Sequence, residues 1–341
     1  MASQAAGYNV AVVGATGAVG REFLRIAEAR DFPIKSLRLL ASARSAGSRL
    51  RFRGEYLQVE ETGDDSFRGI DLAFISATTE ASRHYALIAV AAGAVAIDDS
   101  SAFRMDPNVP LVVPEVNAGD LRRDRRLVAI PNCSTTPLVM ALAPLHRANP
   151  LTRVVVSTYQ SVSGTGTAAM QELTNQTKQA LDGGHPESEV YPHQIAFNLL
   201  AQIDDFLDNG YTKEEWKMVQ ETRKIMHEPE LPVSSTCVRV PVYVCHSEAV
   251  HAEFRDPITP ERVRELLSVQ PGVELDEPGR PESWHHPVQA AGQDAVYVSR
   301  IRRDVSHPSS VAFWLVSDNL RKGAALNAIQ IAESMAERDL F

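Results

Sequence analysis

The sequence predicts a two-domain α/β protein, in which a doubly wound parallel α/β domain precedes an α+β domain with a mixed or antiparallel sheet. The chain has 341 residues, more than the roughly 100–200 residues usual for one domain. Short apolar runs alternate with helical segments up to about Ile130, a pattern typical of parallel sheets. Beyond Pro150 the apolar runs lengthen and alternate with polar residues, as in sheets with one solvated face.

The elements of the first domain follow from these apolar runs. A strand is predicted at Tyr8 to Val13 and a helix at Arg21 to Arg30, where Phe23, Leu24 and Ile26 share helical spacing. An alanine-rich helix is predicted at Ala81 to Ala92. Further strands are predicted at 37–41, 71–77, 95–98 and 127–130.

The second domain is predicted from longer strands and from helix start signals. Strands are predicted at 153–159, 233–244, 249–254, 295–303 and 311–317. Helices are predicted at 135–145, 167–181, 212–226, 260–269 and 322–337. We expect the last helix to pack on the first domain.

Composition limits the compartment and the partners. Hydrophobic residues make up 44% of the chain and charged residues 23%, as in ordinary globular proteins. A formal net charge of −9 argues against nucleic acid binding, which usually needs a basic patch. The longest apolar run, 86–97, is shorter than the roughly 18–20 residues of a membrane helix. Three cysteines and an N-terminus without signal-peptide features lead us to expect a cytoplasmic protein without a membrane span.

Three glycines lie between the first predicted strand and the first predicted helix. Gly14, Gly17 and Gly20 form the pattern G-x-x-G-x-x-G, which differs from the commoner G-x-G-x-x-G. A tight turn at this place lets main-chain amides and a helix N-terminus bind a pyrophosphate. The first domain is therefore predicted to be of the Rossmann dinucleotide-binding type.

The end of the second predicted strand indicates which dinucleotide binds. NAD-specific domains place an acidic residue there to bind the ribose 2′-hydroxyl. Here the sequence is Ser42-Ala43-Arg44-Ser45, and an arginine suits a 2′-phosphate because a guanidinium binds phosphate bidentately. We expect NADP, although Arg44 alone could be a solvated loop arginine.

Cys133 stands between a predicted strand and the apolar helix that starts at Thr135. The helix N-terminus and its amides should favour a thiolate and could stabilise an oxyanion. Taken alone, a buried structural cysteine would be the simpler interpretation. Cys245 is a rival nucleophile because it precedes His246, but neighbouring residues on a strand point to opposite faces.

His246 is the preferred proton-transfer partner for a nucleophilic cysteine. Arg239 precedes it by seven residues, so the two cannot share a face of one regular strand, although Pro241 could mark a bulge that corrects the register. His285 and His286 lack a carboxylate or thiol at ligand spacing, so no metal site is predicted.

Charged residues near the predicted helix at 212–226 admit structural and functional interpretations. Thr212 and Glu215 form a capping box, so Glu215 is predicted to be structural. Glu214 and Lys217 share a helix face and could bind an ammonium group and an anion, or form an exposed ion pair. Arg104 follows a strand at the carboxyl end of the parallel sheet, where ligands bind in such folds.

These motifs together resemble the aspartate-semialdehyde dehydrogenase family over almost the whole chain. The segments that carry the resemblance are Gly14 to Gly20, Ser42 to Ser45, Asp99 to Arg104, Pro131 to Thr135, Gln160 to Gly164, Glu214 to Lys217 and Arg239 to Glu248. Thr165 departs from the family pattern, in which a smaller residue is common.

The resemblance implies roles for single residues. Cys133 would be the nucleophile, His246 the acid–base catalyst and Gln160 the residue that orients the acyl group. Arg239 and Glu214 would hold the substrate's carboxylate and amino group. The residues implied for the phosphate are Arg104, Asn132 and Lys217. The residues implied for NADP are Thr16, Gly17, Ala18, Val19, Ser42, Arg44, Ser45, Gly164 and the region of Asn319.

The resemblance also implies an activity and a domain division. The activity would be the NADPH-dependent reduction of L-aspartyl 4-phosphate to L-aspartate 4-semialdehyde through a Cys133 thioester, in lysine/diaminopimelate, threonine, methionine and isoleucine biosynthesis. Residues 1–131, completed by the C-terminal helix 321–341, would form the NADP-binding domain. Residues 132–320 would form the catalytic and dimerisation domain of a homodimer. The alternatives are a reductase of N-acetylglutamyl phosphate and a nonenzymatic NADP-binding module.

Overall fold

The computed structural model describes residues 7–341. They divide into two compact units, which we call the first and the second unit. The first unit comprises the chain up to Pro131 together with Ala324–Phe341, and the second comprises Asn132–Gly323. No helix within residues 7–341 has the length and apolar character needed to cross a membrane.

The first unit is built on a parallel sheet. Its strands are β1 (Tyr8–Val13), β2 (Ile34–Ala41), β3 (Arg49–Phe52), β4 (Glu55–Glu61), β5 (Leu72–Ile75), β6 (Val95–Asp98) and β7 (Leu127–Ala129). They are ordered β3-β4-β2-β1-β5-β6-β7. All neighbours pair in parallel except β3 and β4, which form an antiparallel hairpin. The predicted parallel α/β sheet is confirmed.

The hairpin of β3 and β4 is not predicted from apolar runs. In β3, exposed Arg49 and Arg51 alternate with buried Leu50 and Phe52. The hairpin lies at the edge of the sheet, where one face of each strand meets solvent and apolar runs are therefore interrupted.

Helices pack around the first sheet. They are α1 (Ala18–Ala29), α2 (Thr79–Ala91) and α3 (Pro114–Asn117), which come from the N-terminal part of the chain, and α9 (Leu326–Glu337), which comes from its C-terminal end. Ile329 and Ile331 of α9 lie in the same core as Val10 and Val12 of β1. The C-terminal helix therefore completes the core of the first unit.

The second unit is built on a mixed sheet of six strands. The strands are β8 (Leu151–Gln160), β9 (Val233–Arg239), β10 (His246–Phe254), β11 (Val273–Leu275), β12 (Val296–Arg303) and β13 (Ser310–Ser317). Their order is β11-β12-β13-β10-β8-β9. The helices of this unit are α4 (Thr135–Ala148), α5 (Thr167–Leu181), α6 (Lys213–Met226), α7 (Pro260–Ser268) and α8 (Pro287–Ala290). A π-helical turn, Arg321–Ala325, leads into α9.

The predicted strand at 233–244 is wrong in its length. Strand β9 ends at Arg239 and β10 begins at His246. β9 pairs in parallel with β8, whereas β10 pairs antiparallel with the other edge of β8. The six residues between them cross over the end of β8, so the two sides of the loop belong to different strands and no bulge is involved.

Candidate active site

The glycine turn of the first unit requires glycine at two of its three positions. Gly14 has φ +80°, and a Cβ there would lie 1.9 Å from the carbonyl oxygen of Ser76. A Cβ at Gly20 would lie 2.3 Å from the carbonyl oxygen of Gly14. Gly17 caps helix α1 without a side-chain hydrogen bond. Thr16, Gly17, Ala18 and Val19 therefore surround a helix N-terminus at which main-chain amides could meet an anion.

The segment Ser42 to Ser45 forms a turn directly after β2. The amide of Ser45 donates to the carbonyl oxygen of Ser42 at 2.8 Å. Arg44 is exposed on this turn. Its guanidinium can therefore reach a ligand, as expected for a residue that binds a 2′-phosphate.

Arg104 also lies in the first unit, after β6. It is 8% exposed, and its Nη2 donates to the carbonyl oxygen of Asp99 at 2.9 Å. Burial raises the pKa of Asp99 to about 7, although Arg104 and a hydrogen bond from Ser76 act in the opposite direction. Arg104 is thus a buried cation beside a carboxyl group, unlike the exposed position that most arginines have.

Cys133 and His246 are in direct contact within the second unit. The Sγ atom of Cys133 lies 3.2 Å from Nε2 of His246. Cys133 precedes Ser134, the N-cap of α4, and is only partly buried. The contact joins a thiol at a helix start to an imidazole, an arrangement that suits nucleophilic catalysis by cysteine.

The strand register explains how Arg239 and His246 reach one place. Gln160, at the end of β8, pairs with Arg239 on one side. On the other side Tyr159 pairs with Ser247, so His246 lies beside Gln160. The three residues therefore stand at one end of the sheet, on adjacent strands.

Ser161 contacts the side chains of Arg239 and His246. Its amide donates to Nδ1 of His246 at 3.0 Å, and its carbonyl oxygen accepts from Nη1 of Arg239 at 2.7 Å. Its hydroxyl lies 3.1 Å from Oδ1 of Asn319. Ser161 is not among the site residues predicted from the sequence. Its signal was its position next to Gln160 in the motif that ends at Gly164.

Hydrogen-bond donors surround the carboxylate of Glu214, which is 6% exposed. Its Oε1 accepts from Asn132 Nδ2 at 2.8 Å and from Gln160 Nε2 at 3.2 Å, and its Oε2 lies 3.1 Å from Lys217 Nζ. Burial alone would raise the pKa of Glu214, but Lys217, the Asn132 hydrogen bond and Arg239 outweigh it and lower the pKa to about 2. Glu214 is therefore a charged carboxylate at neutral pH, and the exposed ion pair considered from the sequence is excluded.

Two further acidic residues support this cluster. Asp204 accepts from Lys217 Nζ at 3.0 Å. Glu221 accepts from the amide of Asn132 at 2.6 Å, and the amide of Ser134 donates to Oδ1 of Asn132 at 2.9 Å. These contacts fix the main chain on both sides of Cys133.

Arg239 is a buried cation, and one N–H donor of its guanidinium group is not satisfied by the described residues. It is 5% exposed, and its Nε has no hydrogen-bond partner among the described residues. A buried guanidinium donor of this kind normally has a partner. The carboxylate of a small ligand would supply one.

Two glycines are packed against the side chains of Cys133, Arg239 and His246. A Cβ at Gly164 would lie 3.1 Å from Arg239 Nη1 and 3.2 Å from His246 Nε2. A Cβ at Gly323 would lie 2.9 Å from the Cβ of Cys133. Gly323 was not predicted from the sequence, because no motif surrounds it. Glycine at these two positions leaves space beside Cys133, Arg239 and His246 that a side chain would fill.

The remaining cysteines are structural. Cys245 is fully buried among apolar residues, and burial, reinforced by Asp318, raises the pKa of its thiol. Cys237 is buried with its Sγ against Met218. The rival nucleophile Cys245 is thus excluded by its burial. Within residues 7–341, no group of three or more potential metal ligands is arranged around a metal site.

Comparison with known proteins identifies the family. The protein family described as "Semialdehyde dehydrogenase, NAD binding domain" matches residues 9–123. The family described as "Semialdehyde dehydrogenase, dimerisation domain" matches residues 142–322. Aspartate-semialdehyde dehydrogenase of Aquifex aeolicus is 48% identical over 98% of this chain and 100% of its own length. The chain belongs to the aspartate-semialdehyde dehydrogenase family. The Legionella pneumophila enzyme is 50% identical over 98% of this chain and 97% of its own.

Solved structures of the family share the fold. Aspartate semialdehyde dehydrogenase II of Vibrio cholerae, in a complex with ASA, has a TM-score of 0.95 at 46% identity, over 99% of this chain and 100% of that one. A probable aspartate-semialdehyde dehydrogenase of Pseudomonas aeruginosa has a TM-score of 0.91 at 35% identity, over 98% of this chain and 99% of that one. The α/β architecture is therefore that of the aspartate-semialdehyde dehydrogenase family.

Proposed function

We propose that this chain is an NADP-dependent aspartate-semialdehyde dehydrogenase that reduces L-aspartyl 4-phosphate to L-aspartate 4-semialdehyde through a thioester on Cys133. The observation that carries the proposal is the 3.2 Å contact between Cys133 Sγ and His246 Nε2. The charged cluster of Glu214 and Arg239 lies in the same unit. It supplies a negative charge for the ammonium group of an amino acid substrate and a positive charge for its carboxylate.

The residues of the second unit divide the work of binding and attack. Glu214 binds the substrate's ammonium group and Arg239 its carboxylate, so that the acyl carbon is presented to Sγ of Cys133. Gln160 orients the acyl group. Cys133 attacks, and Lys217 and Asn132 stabilise the phosphate that departs. Arg104, in the first unit, stays a residue that the family resemblance implies for the phosphate.

The glycine turn fits a dinucleotide. A Cβ at Gly14 would collide with the carbonyl oxygen of Ser76, so glycine is needed there for the turn to pack against the main chain that follows β5. Thr16, Gly17, Ala18 and Val19 would hold the pyrophosphate. Gly164 and Asn319 stay residues that the family resemblance implies for NADP. The bound nicotinamide supplies the hydride for reduction.

Arg44, with Ser42 and Ser45, supports the choice of NADP over NAD. We expect Arg44→Ala to raise the KM for NADP about tenfold or more while the KM for NAD changes little, because one bidentate phosphate contact is lost. Steady-state assays with both cofactors measure this. An equal change for the two cofactors would exclude a contact between Arg44 and the 2′-phosphate.

The substrate is tested by assaying the purified protein with NADP and phosphate in the reverse direction. We expect turnover of aspartate semialdehyde and none of N-acetylglutamate semialdehyde. The acetylated compound lacks the ammonium group that Glu214 would bind, which is the observation that disfavours this alternative. Activity with the acetylated aldehyde alone would contradict the proposed substrate.

A nonenzymatic NADP-binding module is the alternative of another class. Alkylation of Cys133 at neutral pH should be faster than that of an ordinary thiol, and Cys133→Ala should abolish turnover. The fully buried Cys237 and Cys245 serve as internal controls for thiol reactivity. Turnover that survives Cys133→Ala would show that Cys133 is not the nucleophile.

The biological setting completes the proposal. The product would enter lysine/diaminopimelate, threonine, methionine and isoleucine biosynthesis in the cytoplasm. We also propose a homodimer formed through the second unit. The match of residues 142–322 to a dimerisation domain supports this assembly.

A further inference from the structure

The residues at one end of the second sheet form two rows across its strands. The front row consists of Ser317, His246, Gln160 and Arg239, on β13, β10, β8 and β9 in that order. The second row consists of Leu315, Glu248, Thr158 and Cys237, on the same four strands. Residues two apart on a strand point to the same face of the sheet. The second row therefore lies directly behind the front row.

Glu248 is a buried carboxyl group in the second row. It is 1% exposed, and neither of its carboxyl oxygens has a hydrogen-bond partner among the described residues. Burial raises the pKa of Glu248 well above its ordinary value. Glu214, by contrast, keeps its charge against the effect of burial through Lys217 and Asn132. An isolated buried carboxyl group takes up a proton because the charged form is poorly solvated there.

Two hydroxyl groups beside Glu248 also lack partners. Thr158 is its direct neighbour on β8, and Ser317 is its diagonal neighbour on β13. Thr158 is 0% and Ser317 1% exposed, and neither hydroxyl has a hydrogen-bond partner among the described residues. The Cβ atoms of direct neighbours are about 4.5–5.5 Å apart. One water that bonds both side chains would span two hydrogen bonds of about 2.8 Å each.

Buried polar groups without a protein partner usually bind ordered water, which takes about three hydrogen bonds. We propose that Glu248 is uncharged and, together with Thr158 and Ser317, binds one ordered water molecule behind the front row. Cys133 lies close to this place, since its Sγ is 3.2 Å from Nε2 of His246. A charged Glu248 would oppose a thiolate on Cys133, whereas an uncharged Glu248 does not. Neither the water nor the uncharged carboxyl group depends on which substrate is turned over.

The charge of Glu248 can be tested apart from the charges of its neighbours. The titratable and charged groups on the elements around it are Cys237 and Arg239 on β9, His246 on β10, Cys133 before α4, and Glu214, Glu215 and Lys217 on α6. All of these groups are kept in Glu248→Gln. The amide of that variant resembles the uncharged acid in size and shape and does not titrate.

The unfolding equilibrium of this variant depends on pH in a defined direction. A carboxyl group whose pKa is higher in the folded chain stabilises the fold less as the pH rises above the pKa of the unfolded chain, about 4.5. We expect the unfolding equilibrium constant of the wild type, divided by that of Glu248→Gln, to rise about 100-fold from pH 5 to pH 7, tenfold for each pH unit. Urea unfolding at both pH values measures this ratio, and the exposed Glu230, changed to Gln, is the control without such a change. A constant or falling ratio would overturn the proposal.

Alkylation of Cys133 tests for a charge behind the front row and needs no turnover. The pH at which alkylation reaches half its maximal rate should be the same in the wild type and in Glu248→Gln, because no charge is removed. Glu214→Gln removes a carboxylate and is the positive control, in which this pH should fall. If Glu248→Gln lowers it as far as Glu214→Gln does, Glu248 is charged and the proposal is wrong.

A crystal structure of the chain would show the water directly. We expect density for one water within hydrogen-bond distance of the Glu248 carboxyl group and the Thr158 hydroxyl, both in the wild type and in Glu248→Gln. Glu248→Leu, whose side chain is apolar, should lack it. A wild-type structure without density for a water at this place would overturn the proposal. If neither aldehyde is turned over, the proposed function fails, and the crystal structure and the unfolding ratio still decide the water and the charge.

Discussion

Glu214 combines burial with full charge, and that combination has a measurable effect on stability. Its pKa is lowered to about 2 by Lys217, the Asn132 hydrogen bond and Arg239, against the effect of burial. A carboxylate whose pKa is lower in the folded state stabilises the fold above the pKa of the unfolded chain. That contribution is lost as the pH falls from about 4.5 to about 2.

Substitution of this carboxylate should therefore change the acid sensitivity of the fold. We expect Glu214→Gln to lower the free energy of unfolding by about 2–3 kcal/mol at pH 7, and the difference from the wild type to shrink towards about pH 3. Urea unfolding at both pH values measures this. The exposed Glu230, changed to Gln, is the matched control and should show neither effect. A difference that grows on acidification would contradict the assigned charge state.

A substitution at Gly164 tests how closely the chain packs against the side chains of Arg239 and His246. A methyl group there would lie 3.1 to 3.3 Å from Arg239 Nη1 and from His246 Nε2 and Cε1, closer than ordinary contact. We expect Gly164→Ala to lower kcat/KM by about tenfold or more through this displacement, with little change in the melting temperature.

The control for this substitution is Gly119→Ala, since a Cβ at Gly119 meets no atom within 4 Å. That variant should keep full activity. If Gly164→Ala also keeps full activity, the close packing of Gly164 against the two side chains has no catalytic consequence.

The site residues differ in how far the sequence reveals them. Cys133 and Gln160 stand in motifs with a chemical signature, and the capping box of Thr212 and Glu215 follows from local spacing and is confirmed. Ser161 and Gly323 contribute a main-chain amide and an absent side chain. Such contributions depend on tertiary packing, which residue types alone do not encode.

At the level of secondary-structure elements, the loop between β9 and β10 determines where Arg239 and His246 lie. It separates Arg239 from His246 and delivers them to opposite edges of β8. The sequence shows one long stretch in which apolar residues alternate with polar ones, and within it Pro241 is the residue that signals a break in a strand. A strand that ends and passes to another edge looks, in an apolar pattern, like a strand that continues. The register problem could therefore not be solved without the structure.

Helix α6 carries Glu214 and Lys217, and its N-terminus is fixed by Thr212. The hydroxyl of Thr212 accepts from the amide of Glu215 at 3.3 Å, and the amide of Thr212 donates to Glu215 Oε2 at 2.8 Å. We expect Thr212→Ala to lower the free energy of unfolding by about 1 kcal/mol. Thr212→Ser keeps the cap and should lie close to the wild type. Equal stability of the Ala variant and the wild type would show that the cap contributes nothing.

At the level of the whole molecule, the open face of the second sheet is the surface on which a dimer would form. Cys237 lies on the face that packs against α6, through Met218. Tyr159 points to the opposite face, is 38% exposed and lies 5.4 Å from the ring of Trp314. Exposed aromatic groups on a sheet face are typical of an interface.

Charge placed on this face should separate the subunits. Ser157 lies on β8 two residues before Tyr159, so the two share a face. We expect light scattering to give twice the mass of one chain for the wild type and a single-chain mass for Ser157→Arg, because a buried unpaired charge opposes association. Ser268→Arg, on the exposed surface of α7, should remain dimeric. A wild-type protein with the mass of one chain would contradict the proposed assembly.

The parallel sheet of the first unit, the mixed sheet of the second and the helices α5 and α6 were all predictable, because apolar periodicity and start signals are local properties. The edge hairpin of β3 and β4 was not, since its pattern is set by which face meets solvent.

The central claim is that Cys133 carries the acyl group. The most direct test is intact-protein mass spectrometry after mixing with L-aspartyl 4-phosphate in the absence of NADPH. We predict a mass gain of one aspartyl group, located by peptide mapping on Cys133 and lost when NADPH is added. An unmodified Cys133 under conditions of full activity, or an aspartyl group on another residue that NADPH removes, would contradict it.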